Sequence, residues 1–139
     1  KQDNVIIETR QRMKDPIVEI DGDQIVQVLT NLIKNAIEAI PDGGKIRITL
    51  KDKGNDFQIV VKDNGSGMAV EIMEKIFEPL FTTKKVGKGT GLGLAVTYGI
   101  IKMHRGRINV VSNDDASQGT TGTTFTVTLP RKAKKSRSG

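Results

Sequence analysis

At 139 residues, with 36% hydrophobic and 27% charged residues, the chain has the size and composition of one soluble domain with a real core. It has no cysteine, which excludes disulfides and thiolate metal or redox sites, and no apolar run approaches the ~20 residues that span a bilayer. The net charge of +6 does not argue for nucleic acid. Arg131, Lys132, Lys134, Lys135 and Arg137 carry five of those charges and leave +1 for the rest, and one Tyr with no Trp offers no base-stacking platform.

The chain begins at Lys1-Gln2-Asp3 without Met and reads as a piece of a longer protein, with a domain over 1–130 and a basic, disordered tail over 131–139. Short strands are expected at Val5 to Thr9 and Ile17 to Ile20, around a polar turn with Pro16. Asp21 or Asp23 can cap a helix from about Asp23 to Ile40, whose apolar residues Ile25, Val28, Leu29, Leu32, Ile33, Ala36, Ile37 and Ile40 keep a helical period. Pro41-Asp42-Gly43-Gly44 ends it. Strands Lys45 to Lys51 and Phe57 to Lys62 flank a Lys53-Gly54-Asn55-Asp56 turn, and their alternation implies one buried face. A short helix is expected near Val70 to Ile76, a longer one over Gly91 to Met103, and closing strands at Arg107 to Ser112 and Thr123 to Leu129. These blocks predict an α+β fold, a two-layer sandwich with a mixed, mostly antiparallel sheet and helices on one face.

The first long helix has a second stripe. At about 100° per residue, Gln24, Gln27, Asn31, Asn35 and Glu38 fall within about 80° of one another, away from the apolar set. Asn is a poor helix former, so two of them one turn apart either face water or form a binding wall. An Asn carbonyl is a hard neutral ligand suited to Mg2+ that already carries phosphate oxygens, its amide can donate to phosphate, and Lys34 at the stripe's edge supplies positive charge.

Asp63-Asn64-Gly65-Ser66-Gly67-Met68 follows a strand. It reads as a tight turn, or as a carboxylate at the rim of a pocket accepting a hydrogen bond from an exocyclic amine. A rim carboxylate would contribute little to the core, so Asp63→Ala is expected to leave the fold intact. Gly87-Lys88-Gly89-Thr90-Gly91-Leu92-Gly93-Leu94 runs into a helix and can present free N–H groups to phosphate, although it lacks P-loop spacing and does not follow a first βα unit. Between them lie Phe77-Glu78-Pro79-Leu80-Phe81-Thr82-Thr83-Lys84. The aromatics can be core anchors, and Thr82, Thr83, Lys84 and Lys85 can reach a triphosphate if the segment closes as a lid.

These segments resemble the catalytic ATP-binding domain of bacterial sensor histidine kinases, in the superfamily of DNA gyrase B, Hsp90 and MutL. Q-V-L-T-N-L-I-K-N-A-I-E-A at 27–39 looks like the N box, D-N-G-S-G-M at 63–68 the G1 box, I-F-E-P-L-F-T-T-K at 76–84 the F box and G-K-G-T-G-L-G-L at 87–94 the G2 box. The resemblance covers about Val5 to Pro130 and implies the Bergerat sandwich. It implies Asn35 as the Mg2+ ligand, with Asn31 and Lys34 on the phosphate side and Asn31, Lys34 and Lys84 as the catalytic set. Asp63 would bind the adenine amine, helped by Gly65, Gly67, Met68 and, through water, Thr123. Phe81, Thr82, Thr83, Lys84, Gly89, Thr90, Gly91, Leu92, Gly93 and Leu94 would complete the ATP site.

Two departures stand out. ATP-hydrolysing relatives carry a Glu, one turn before the magnesium Asn, that activates water; here Asn31 stands there and cannot act as a general base. Many histidine kinases carry a basic residue at the place of Glu38. The resemblance therefore implies transfer of the γ-phosphate of Mg-ATP to a histidine on a separate dimerisation and phosphoacceptor domain, and through it to a response regulator. The fragment would be monomeric and cytoplasmic, with the parent protein's anchoring in an inner membrane left open. His104 is the only histidine and is expected at a helix C-terminus. The rival readings are an ATPase or anti-sigma-like Ser kinase on the same fold, and a nucleotide-dependent protein-binding module.

Overall fold

The computed structural model describes residues 5–12, 22–40, 43–78 and 93–130. Their elements are β1 (Val5–Arg12), α1 (Gly22–Glu38), β2 (Gly44–Lys53), β3 (Asp56–Asp63), α2 (Val70–Met73), α3 (Gly93–Met103), β4 (Arg107–Asn113), a 3-10 turn (Ala116–Gln118) and β5 (Gly122–Pro130). The strands form one sheet in the order β1-β2-β3-β5-β4. β1 pairs with β2 in parallel, and every other pairing is antiparallel. The α+β sandwich read from the sequence is the observed class. The strand expected at Ile17 to Ile20, the first two residues of the helix expected from Gly91, and the basic tail lie outside the described residues.

Alternation decides which face of the sheet is buried. On β3, Phe57, Ile59 and Val61 are buried, and on β5 so are Phe125, Val127 and Leu129. They stand opposite one another in register: Phe57 with Leu129, Ile59 with Val127, Val61 with Phe125. Side chains two apart share a face, so the six make an apolar ladder two strands wide. α1 lays Ile25, Val28, Leu32 and Ala36 on this face, and Val28 and Leu32 are wholly enclosed. Its period of three and four residues aligns these side chains into one stripe. α3 packs beside α1, and its Ile101 is equally enclosed.

The ladder has one more rung. Asp63 pairs with Thr123, the next position on both strands, and both are buried, at 3% and 4% exposure. The alternation that builds the core therefore carries a carboxylate and a hydroxyl to its end.

α3 stops in a turn that needs no proline. Arg105 adopts φ 63, and the Gly106 N–H donates back to the Ile101 carbonyl at 2.9 Å. This left-handed closure satisfies a last-turn carbonyl and returns the chain into β4. His104 Nδ1 lies 2.8 Å from the Ile100 carbonyl, at the C-terminal turn where it was expected. On the outer sheet face Glu8 pairs with Lys45 at 3.3 Å and with Arg47 at 3.2 Å, and these two cations hold its carboxyl below the usual range. Such exposed pairs add little to stability.

Candidate functional site

The turn after β3 is built around the Asp63 carboxylate. Its Oδ1 accepts the Gly65 N–H at 2.8 Å and the Thr123 N–H at 3.3 Å. One oxygen thus closes the turn and ties it to β5. Among the described residues no hydrogen bond falls on Oδ2. Burial raises the carboxyl's pKa above its ordinary value, and the two backbone donors offset part of that rise. This corrects the expectation of a rim carboxylate, because Asp63 is buried and braces the backbone. Asp63→Ala would strand two N–H groups rather than leave the fold untouched.

Two glycines let this turn sit where it does. A side chain at Gly65 would run into the Ala39 carbonyl, at the end of α1. Gly67 has φ +79, and a side chain there would meet the Asn113 carbonyl at the end of β4. Only glycine combines that dihedral with that approach. The loop behind Gly67 is itself organised: Asn113 Nδ2 reaches the carbonyls of Asp115, Gly119 and Thr120 at 3.1, 3.3 and 3.1 Å.

The α1 stripe faces two neighbours. Residues 31, 35 and 39 follow one another at one-turn spacing. Asn31 Nδ2 donates to the Gly93 carbonyl and to Thr97 Oγ1, both at 3.1 Å. Ala39, at the other end, abuts the Asp63 turn. Asn35 therefore sits between the start of α3 and that turn. It is half-buried, and its amide makes no hydrogen bond to a described residue. Lys34 is exposed beside it, as is Glu38.

The two asparagines are thus unlike. Both Asn31 N–H donors are committed to α3, which leaves only its Oδ1 for any ligand. An Asn31 amide donating to phosphate, the role weighed from the sequence, has no hydrogen to give in this arrangement. Asn35 commits neither its carbonyl nor its amide to a described residue.

Gly93 and Leu94, expected at a phosphate-binding helix start, open α3, and Leu94 packs against the core. Met68 also leans on the core, and its backbone N–H donates to Ser112 Oγ at 2.7 Å. Phe77 stacks with Tyr98 at a centroid distance of 5.3 Å and meets Phe125 edge-on at 6.4 Å, so the first aromatic of the lid motif is a core anchor. Phe81, Thr82, Thr83, Lys84, Gly89, Thr90, Gly91 and Leu92 lie outside the described residues.

Two participants escaped the sequence reading. Thr97 is fully buried and receives Asn31. Ser112 gathers Met68, Gly122 and Thr123, with Gly122 O at 3.1 Å and Thr123 Oγ1 at 2.8 Å from its Oγ. The period of β4 places Ser112 on the core face with Ile108 and Val110, which was the available signal.

The donor set fits a purine nucleotide with a divalent cation. A buried carboxylate oxygen to which no described residue donates suits an exocyclic amine, and an Asn carbonyl without a partner among the described residues suits Mg2+. Residues 20–133 match the family described as histidine kinase-, DNA gyrase B- and HSP90-like ATPases. Sporulation kinase A of Bacillus subtilis (strain 168) is 42% identical over 120 residues, 86% of this chain and 19% of that protein. The sensor histidine kinase ZraS of Escherichia coli (strain K12) is 45% identical over 115 residues, 83% of this chain and 23% of that protein. The chain thus spans about a fifth of the length of these curated relatives. The nucleotide-free catalytic domain of the histidine kinase ThkA superposes with a TM-score of 0.73 at 36% identity, over 91% of this chain and 81% of that one. ThkA has also been solved in complex with the response regulator TrrA, with a TM-score of 0.71 at 32% identity, over 93% of this chain and 35% of that one. The chain belongs to the family of histidine kinase-, DNA gyrase B- and HSP90-like ATPases.

Proposed function

We propose that this domain binds Mg-ATP and presents its γ-phosphate to a histidine on a separate dimerisation and phosphoacceptor domain, from which a response regulator draws the phosphoryl group. The observation that carries the reading is Asp63: a buried carboxylate whose Oδ1 is spent on backbone and whose Oδ2 takes no donor among the described residues. Such an oxygen accepts from the adenine amino group and repels the O6 of guanine.

Asn35 would hold Mg2+ through its carbonyl, and Lys34 and Lys84 would neutralise phosphate charge. The cation would supply further charge neutralisation on the phosphate oxygens. Thr82, Thr83 and the glycines of 87–93 are proposed to close around the triphosphate. In phosphoryl transfer the protein's share is positioning and charge neutralisation. Asn31 favours transfer over hydrolysis, because an amide is no base and its hydrogens here belong to α3. No helix among the described residues is long and apolar enough to cross a membrane. A cytoplasmic placement, with or without anchoring of the parent chain, belongs to the same proposal.

The deciding experiment has two arms. Calorimetry with ATP, ADP and GTP, with and without Mg2+, should show adenine selectivity and a metal-dependent gain for the triphosphate. Labelled ATP with a separately supplied histidine-bearing helix pair should yield phosphohistidine. Hydrolysis without transfer would reverse the reading in favour of an ATPase.

A further inference from the structure

We infer that Ser112 fixes the hydrogen-bond polarity of the adenine end of the site, turning Thr123 into an acceptor-only group and so sharpening discrimination against purines with an oxygen at position 6. The inference rests on the nucleotide reading above and adds a specificity-setting residue to it.

The argument is one of valence. A serine hydroxyl has one hydrogen and two lone pairs. Ser112 Oγ has three close partners. Met68 N, at 2.7 Å, can only donate. Gly122 O, at 3.1 Å, can only accept. Thr123 Oγ1, at 2.8 Å, can do either. Ser112 must accept from Met68. If it gave its hydrogen to Thr123, its remaining lone pair would face the Gly122 carbonyl, oxygen to oxygen. A single arrangement satisfies all three contacts: Ser112 donates to Gly122 O, and Thr123 donates to Ser112. The Thr123 hydrogen is then committed inside the protein.

The consequence falls on Asp63. Thr123 and Asp63 are register partners, and Thr123's own N–H already holds Asp63 Oδ1. With its hydroxyl hydrogen turned to Ser112, Thr123 keeps only lone pairs, and its register partner Asp63 has an Oδ2 to which no described residue donates. Asp63 Oδ2 and Thr123 Oγ1 therefore both present acceptors. An adenine amine, or a water donating to Thr123, completes them. The O6 of hypoxanthine or guanine finds no donor at either of these two oxygens. The hydroxyl of Ser112, which is not proposed to touch nucleotide, sets this polarity through Thr123.

The test measures ATP and ITP affinities by calorimetry, because ITP differs from ATP at this edge alone. The parent chain should prefer ATP. Ser112→Ala frees the Thr123 hydrogen to face the ligand, and the ATP-over-ITP ratio should narrow by about fivefold or more, the scale of one redirected hydrogen bond. Ser112→Thr keeps the hydroxyl and should restore the ratio. In a Thr123→Val background, Ser112→Ala should leave the ratio unchanged. A purely structural Ser112 would weaken both nucleotides equally. An unaltered ratio in Ser112→Ala, or the same narrowing in the Thr123→Val background, would overturn the inference while leaving ATP binding standing. A parent chain that binds neither nucleotide, or both equally, would instead overturn the nucleotide reading itself.

Discussion

The two ends of the candidate site are held by different means. At the base end, Asp63, Thr123 and Ser112 sit on adjacent strands, placed by β-register, and backbone N–H groups fix the carboxylate. At the phosphate end, the side-chain amide of Asn31 ties α1 to α3 through Gly93 and Thr97. Ladders are cooperative and set by many bonds, whereas both bonds of a single side chain go with one substitution. On the proposed reading, base selection would be built into the sheet, while the geometry around the phosphates would depend on helix packing.

The largest expected effect breaks the base end. Asp63→Asn keeps an oxygen for Gly65 and Thr123 but turns an amide donor toward the adenine amine. ATP affinity should fall by about a hundredfold or more, read by calorimetry. The fold should not suffer. Burial raises the folded pKa of Asp63, so its contribution to stability is complete at pH below its unfolded pKa and is lost as pH rises through the folded one. The melting temperature of Asp63→Asn minus that of the parent should therefore increase with pH across the acidic range. A flat difference would deny that the carboxylate is strained by burial. Asp63→Ala should instead cost about 1–3 kcal/mol in urea unfolding, for the stranded N–H groups.

Next in size is the Mg2+ role. Asn35→Ala should weaken ATP binding about tenfold with Mg2+ present and much less with EDTA, the loss of one ligand from a shared coordination shell. Equal losses in both conditions would remove the metal from Asn35.

The smallest effect sharpens the seam. Thr97→Val preserves shape but leaves one Asn31 donor unpaired at a partly exposed position. Unfolding should be easier by about 1 kcal/mol, and the ATP-over-ITP ratio should not move. A change in that ratio would mean that base end and seam are not independent.

Much of this was readable in the chain. The α1 apolar period, the strand alternations and the order of the glycine segments identify elements, fold class and family. Even the burial of Asp63 was implicit, since 57, 59, 61 and 63 share a parity; a turn motif drew attention to the loop and away from the strand that ends there. Ser112 and Thr97 were less visible, because a lone hydroxyl in a strand or helix has no distinctive pattern.

Local periodicity and turn chemistry are properties of neighbouring residues, so the chain alone settled its helices, its strands and which faces are apolar. Which hydroxyl meets which amide, across 66 residues from Asn31 to Thr97 or 44 from Met68 to Ser112, depends on how α1 lies beside α3 and how β4 lies beside the turn after β3. Only the packed fold could separate Asn31, bound to its neighbour helix, from Asn35, whose amide is uncommitted among the described residues, because identical side chains differ solely in what the tertiary structure brings against them.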